Sequence, residues 1–232
     1  CMLLRKHLQG AKLTDVRQAG FERVAVLTFE GRDEMGFACR RRLIAEIMGK
    51  YSNLIFTDED GKILSVLYPI DFSASSRRQL LPGMTYELPP SQNKRNPLEE
   101  TPEGFAETAA AADPSQPADR FLTAHWCGIA PAVAREIAYW AGGRTDTPVG
   151  ACAKPLSDRF LAVMEDIRSR RFSPCMVSEN GAPVEYAYLR LEQYGAGMTV
   201  TGFDRPSALL DAFFGARDRE QHIRQRAQDI LH

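Results

Sequence analysis

Apolar and polar positions alternate with two different periods along this chain. In "ERVAVLTFE", Val24, Val26 and Thr28 alternate with Ala25, Leu27 and Phe29, which is the period of an extended strand. Similar short runs follow or precede it: "AKLTDVRQ", "EMGFACR", "RRLIAEIM", "YSNLIFTD" and "KILSVLYPI", separated by turn-forming stretches such as "FEGRDE" and "DEDGK". Connections this short favour antiparallel neighbours. Residues 11–70 are therefore predicted to form a meander of five or six strands, one wall of a β-sandwich or open barrel, with β-structure extending to about residue 90. Within it, "SSRRQLL" has the Ser76 and Gln79 spacing of a capping box, which predicts a short helical turn.

The period then changes. "PGMTYELPPSQNKRNPLEETPEG" and "AETAAAADPSQPAD" are rich in proline and polar residues, so 91–118 reads as a linker between the β-rich part, 1–90, and a helical region, 119–171. In that region Ile129, Val133, Ile137 and Trp140 share one helical face, and Gly142-Gly143 is a natural stop. A second helix is predicted over 155–172. "CMVSENGAPVEYAYLRL" reads as a hairpin turning at Asn180-Gly181, followed by a strand at "GMTVTGF". This segment, 172–205, is expected to pack back on the β-rich part. Asp204 and Pro206 suit the start of a helix over 206–232. Its charged end keeps only a thin apolar seam of Ile223, Ala227 and Ile230, as at the start of a coiled coil. The fold class is α+β with antiparallel pairing.

With 232 residues, 44% hydrophobic and 25% charged, the chain has the composition of a folded globular protein. A net charge of −1 argues against a protein that coats nucleic acid indiscriminately, but local clusters stand out: Arg5-Lys6-His7, Arg40-Arg41-Arg42, Arg77-Arg78, Lys94-Arg95 and Arg168-Arg170-Arg171. On a strand, Arg40 and Arg42 share one side and Arg41 takes the other. Several such clusters in a chain of balanced charge point to a designated polyanion face.

Five cysteines, at 1, 39, 127, 152 and 175, form no CxxC pair and have no histidines at ligand spacing. They read as reduced, structural thiols of a cytoplasmic protein, with no metal site and no cofactor. Cys1 could serve as an N-terminal nucleophile activated by its own amino group, but "CMLLRKHLQG" reads as a helix already under way, which favours an interior position. No apolar run is long enough to span a membrane, and no signal peptide is visible. His7, His125, His222 and His232 sit in unrelated contexts, and no G-x-S-x-G, Walker or H-E-x-x-H sequence occurs. Catalytic residues are therefore not predicted.

Two constellations suit nucleic acid. "WCGIAPAVAREI" resembles a helix-hairpin-helix, with Gly128 and Ile129 in the hairpin and Ala130 where a second glycine is usual. Such a hairpin aims backbone N–H groups at a phosphate. Glu22-Arg23 opens a strand in "GFERVAVLTF"; an acidic neighbour can orient the planar arginine fork toward a base edge or a phosphate.

Together "CMLLRKHLQGAKL", "GFERV", "LIAEIMGKYSNLIFTDEDGKIL", "SSRRQLLPGMTYELPP", "NPLE", "GIAPAVAREIAYWAG" and "LLDAFFGARDREQHIRQRAQDI" resemble the NFACT family, in the right order over nearly the whole chain. The resemblance implies an N-terminal domain similar to the N-terminal fold of formamidopyrimidine-DNA glycosylase, then helix-hairpin-helix elements and a coiled coil. It also implies strand-forming sequence before Cys1 and a continuing coiled coil after His232.

Bacterial members of the family bind the large ribosomal subunit carrying an obstructed peptidyl-tRNA and recruit alanyl-tRNA. Alanine is then added without mRNA, and the peptidyl transfer belongs to the ribosome. A family Asp-Arg dipeptide attributed to tRNA contact aligns with Glu22-Arg23, with one methylene more in the acid. Arg5, Lys6, Arg77 and Arg78 are the expected phosphate contacts. Two other readings follow from the same resemblance: a DNA-binding protein of the glycosylase type, for which no nucleophile is present, and an extracellular adhesin that binds fibronectin, which fits poorly with the cysteine pattern.

Overall fold

The computed structural model describes residues 2–73, 78–90 and 93–230, with side chains described as far as residue 219. The chain divides into two units, Cys1–Asn93 and Lys94–His232, and each is described by itself.

The first unit opens with helix α1 (Met2–Leu8) and continues as strands β1 (Lys12–Gln18), β2 (Val24–Arg32), β3 (Ala38–Glu46), β4 (Asn53–Thr57) and β5 (Ile63–Val66). These form one antiparallel sheet in sequential order, β1-β2-β3-β4-β5. The meander is the predicted one with five strands, because "EMGFACR" and "RRLIAEIM" merge into the single strand β3.

Alternation decides what each sheet face does. Val24 and Val26 meet Ile44, Ile55 and Ile63 on one face, where Leu80 closes a small core and Ile70 and Tyr86 pack against it. Ala25, Leu27 and Phe29 lie on the other face and are only partly covered. There His7 of α1 rests on Phe56, ring centroids 5.9 Å apart. Beyond β5 the expected strands are replaced by isolated bridges, Ile70↔Leu80 and Lys62↔Thr85, because the prolines at 69, 82, 89 and 90 remove ladder donors. Ser76 of the predicted capping box lies outside the described residues, and Gln79 is not helical.

In the second unit the predicted linker is corrected. A 3-10 turn (Pro97–Glu99) and helix α2 (Pro102–Ala111) occupy much of 91–118. Thr101 caps α2, its hydroxyl oxygen accepting the Gly104 N–H at 3.0 Å, and Pro102 stands in the first turn. Phe105, wholly buried, then stacks on Trp126 with centroids 4.9 Å apart. The flanking prolines that suggested a linker are N-terminal helix residues and turns between helices.

Helices α3 (Ala118–His125), α4 (Pro131–Gly142) and α5 (Val149–Arg168) follow. Gly143 ends α4 in the left-handed conformation at φ 76°. Strands β6 (Cys175–Glu179), β7 (Ala182–Ala187) and β8 (Met198–Gly202) form an antiparallel sheet in the order β7-β6-β8. Contrary to expectation, these strands find their core within their own unit. Cys175, Val177, Ala187 and Leu191 share one buried cluster with Phe121, Ile137 and Met164. The alternate residues of β6 give the helices an apolar face there. Glu136, buried on α4, ties the end of this sheet segment to the helix by accepting the N–H groups of Glu192 and Gln193 at 2.8 and 3.1 Å. Burial pushes its carboxyl above the usual range, against the pull of those two bonds.

The β6–β7 turn has Asn180 at φ 51° and Gly181 at φ 83°, both in the left-handed region that a two-residue hairpin requires. Gly181→Ala is expected to cost about 1–2 kcal/mol of stability, measured by denaturant unfolding, whereas Asn180→Gly should be nearly neutral.

The last helix, α6 (Pro206–Ile230), buries Leu209 and Phe213, and Phe213 packs on Tyr186 of β7 at 4.6 Å. The side chains of the Ile223, Ala227 and Ile230 seam lie outside the described residues. Among the described residues no helix is long and apolar enough to cross a membrane, and no cluster of His, Cys, Asp and Glu is placed to hold a metal.

Candidate nucleic-acid interface

The turn between β1 and β2 carries Glu22 and Arg23. It is a rigid display: Ala19 N–H donates to Val24 O at 2.9 Å, Glu22 N–H to Ala19 O at 3.2 Å, and the Gln18 side-chain amide to Glu22 O at 2.7 Å. Gly20 supplies the positive φ, 60°, that this reversal requires. The carbonyl of Arg23 accepts the Ile47 N–H at 2.8 Å, which locks the turn to the end of β3. Arg23 is exposed and Glu22 half-buried. Among the described residues neither side chain belongs to an ion pair, so the Arg23 guanidinium keeps its donors available to a ligand.

Beneath this turn lies a buried charge network. Glu46, opposite Val24 in the β2–β3 register, is gripped by both terminal nitrogens of Arg78, at 2.6 and 3.1 Å. The side chains are only 9% and 3% exposed for Arg78 and Glu46. The Tyr86 hydroxyl adds a donor to Glu46 at 2.9 Å, and Arg78 Nε donates to Glu87 O at 2.9 Å. Burial first, then the Glu46 carboxylate, pushes the Tyr86 phenol well above its usual range. Arg78, expected on the surface against phosphate, is thus committed to Glu46, whose strand partner Val24 directly follows the Glu22-Arg23 turn. Its neighbour Arg77 lies outside the described residues.

Arg5 and Lys6 are exposed on α1, and Lys6 is paired with Glu34. His7 beside them is held below the usual imidazole range by burial and by the Arg41 and Lys6 charges. In the second unit, Gly128 turns the chain between α3 and α4 at φ 70°. Ile129 is buried in the helical core, so its side chain is not available to a ligand. Among the described residues, neither the Gly128 nor the Ile129 N–H finds an intramolecular partner. The predicted residues therefore fall into two sets: Arg5, Lys6, Glu22, Arg23 and Arg78 in the first unit, Gly128 and Ile129 in the second.

Sequence reasoning missed Ile47 beside the turn and the exposed ring of Tyr51 further along the chain. Ile47, bonded to Arg23, is 60% exposed, and Tyr51 is 71% exposed on a 3-10 turn (Gly49–Tyr51) with the Lys50 ammonium 4.9 Å from its ring centroid. An apolar residue left outside a short strand was the available signal. The turn thus offers a fork of donors, an acid and, through Ile47, an apolar contact, a set suited to RNA bases and backbone.

The comparisons bear on this arrangement. The NFACT N-terminal and middle domains match residues 1–232. "Rqc2 homolog RqcH" of Bacillus subtilis is 33% identical over 231 residues, covering 99% of this chain, which spans 38% of that relative's length. The crystal structure of the fibrinogen binding protein from Staphylococcus aureus superposes with a TM-score of 0.74 at 27% identity, covering 92% of this chain and 74% of that one. The N-terminal structure of the fibronectin/fibrinogen-binding protein from Streptococcus suis gives 0.70 at 28% identity, covering 92% and 71%. With the domain match running the whole of 1–232 and the sheet and helices laid out as in those structures, the chain belongs to the NFACT family.

Proposed function

We propose that this chain is the tRNA-handling part of a cytoplasmic ribosome-associated quality control factor. It binds tRNA, alanyl-tRNA by family resemblance, together with the large ribosomal subunit that carries an obstructed peptidyl-tRNA. It supports mRNA-independent alanine tailing and leaves the peptidyl transfer to the ribosome. The observation that carries this reading is the Glu22-Arg23 turn: an exposed arginine, unpaired among the described residues and held by its own backbone at the end of a sheet, where the family has its Asp-Arg dipeptide. Glu22 keeps the charge of that acid and lengthens its reach by one methylene. The Gly128-Ile129 hairpin, resembling a helix-hairpin-helix, adds a sequence-independent phosphate contact through its open N–H groups. α6 resembles the start of the family's coiled coil.

Arg5 and Lys6 contribute phosphate contacts of unequal strength. Among the described residues Arg5 has no acidic partner, whereas Lys6 must give up Glu34. Arg5→Ala is expected to flatten the salt dependence of tRNA binding by about 0.7 to 0.9 in log–log slope, and Lys6→Ala by less; equal, unchanged slopes in titrations at several salt concentrations would remove α1 from the interface.

A second reading rests on the names of the structural neighbours, which bind fibrinogen or fibronectin. Pulldown of the full-length protein separates the two. Recovery of tRNA and free large subunits supports the quality control reading, and recovery of neither, with saturable fibronectin binding, supports the adhesin.

A further inference from the structure

The sheet face that holds the small core of the first unit changes character along its length. Past Val26 and Ile44 it becomes a polar groove of about 390 Å³, lined by Thr14, Asp15, Arg17, Thr28, Arg40 and Arg42, with Glu30 at its side. The register explains why these residues meet. Asp15 lies opposite Thr28 and Thr28 opposite Arg42, one row across β1, β2 and β3; Arg17 flanks Val26 in the next row, and Glu30 faces Arg40 in the row beyond. A bulge between Leu13 and Asp15 resets the alternation. Leu13 stays on the opposite face with Phe29, while Asp15 and Arg17 turn into the groove. Bulges commonly re-aim side chains in this way at functional sites.

The charges in the groove do not cancel among themselves. Glu30 is occupied by Arg40, at 2.8 Å. Among the described residues, Arg17, half-buried Arg42 and Asp15 have no ion-pair or hydrogen-bond partner. Thr28 lies between Asp15 and Arg42 on the groove floor, and its hydroxyl, likewise without a partner, is not sealed from solvent and stays open to a ligand. Arginines left without an acid on one sheet face repel, and a ligand that brings an anion relieves this while its own hydroxyl meets the Asp15 carboxylate.

We propose that this groove binds one ribose-phosphate unit of RNA. The forks of Arg42 and Arg17, with the Thr28 hydroxyl, take the phosphate oxygens, and the Asp15 carboxylate accepts the hydrogen bond of the 2′-hydroxyl, the group that separates RNA from DNA. The acid is what distinguishes this groove from a general polyanion site, because it would repel a bare phosphate chain. The inference rests on the RNA-binding reading above and adds to it a second contact, on the sheet face rather than at the Glu22-Arg23 turn, that senses the sugar.

The test is affinity of the full-length protein for one RNA strand and for its 2′-deoxy counterpart, over a range of salt, for wild type and for Arg17→Ala, Arg42→Ala, Asp15→Ala and Arg23→Ala. Wild type should prefer the RNA. Arg17→Ala and Arg42→Ala should each weaken both strands and flatten the salt slope by about 0.7. Asp15→Ala should move two readings in opposite directions: total affinity for the deoxy strand rises as the acid leaves, while the RNA preference falls about tenfold. A change that merely loosened the sheet would lower both together. Equal binding of the two strands by wild type, or an RNA preference that survives Asp15→Ala, overturns the sugar contact. Unchanged slopes in both arginine variants, while Arg23→Ala still loses RNA, overturn the groove and leave the turn standing. A wild type that binds neither strand overturns both.

Discussion

Arg78→Met is expected to lower the stability of the protein by about 3–5 kcal/mol, the range found when one partner of a buried ion pair is removed. The reason is the Glu46 carboxylate, 3% exposed, which would keep the Tyr86 hydroxyl but lose both guanidinium donors and, among the described residues, the charge that balances it. In a unit of this size that loss lowers the melting temperature by more than about 10 °C. Glu46→Leu combined with Arg78→Met should recover much of the loss, since replacing both members by apolar side chains removes the stranded charge. Because Glu46 pairs with Val24 directly after Arg23, Arg78→Met should also weaken tRNA binding without changing its salt slope. A destabilisation below about 1 kcal/mol, read from denaturant unfolding, would show Arg78 to be a surface residue, as the sequence first indicated.

Arg23 carries the second large effect. Arg23→Lys keeps the charge but not the planar fork, so it should already weaken tRNA binding; Arg23→Ala should cost about 1–3 kcal/mol, roughly five- to 150-fold in affinity. Neither change should alter stability by more than about 0.5 kcal/mol, because the side chain is exposed and what holds the turn is the Arg23 carbonyl. Glu22→Ala acts through Arg23 and should add little once Arg23 is alanine, the non-additivity of coupled neighbours. Glu22→Asp, with the family's acid, should be tolerated. Titration of the four single variants and the double variant measures the coupling. Strict additivity of Glu22→Ala and Arg23→Ala would separate the two residues.

The parts of the fold that were legible in the sequence are those where local chemistry decides. Period-two alternation in "ERVAVLTFE" places Val24 and Val26 in a core, Asn180-Gly181 makes its hairpin, and Gly143 ends its helix. Tertiary choices were less legible. The alanines and prolines of 101–118 read as a linker because their burial depends on one residue, Phe105, finding Trp126 more than twenty positions away. The partner of β6–β8 was misjudged for a similar reason: Cys175 and Val177 announce a buried face but not which elements bury it.

The site divides in the same way. Arg23 was visible as an arginine at the entry to a strand, and its exposure follows from the turn that precedes β2. Arg78 was not, because an Arg-Arg dipeptide looks basic and solvated until Glu46, thirty-two positions earlier, is seen to claim one of the two. The Asp15, Thr28 and Arg42 row was invisible to any reading along the chain, since it exists only across three strands joined in one register.

The role of the Glu22-Arg23 turn is tested most directly by alanine tailing of obstructed large subunits with the full-length protein carrying Arg23→Ala. Wild type should extend the stalled chain with alanine. Arg23→Ala, folded and melting at the wild-type temperature, should still associate with large subunits yet leave the chain untailed, with Arg23→Lys in between. Full tailing by Arg23→Ala would contradict the assignment of tRNA handling to this turn.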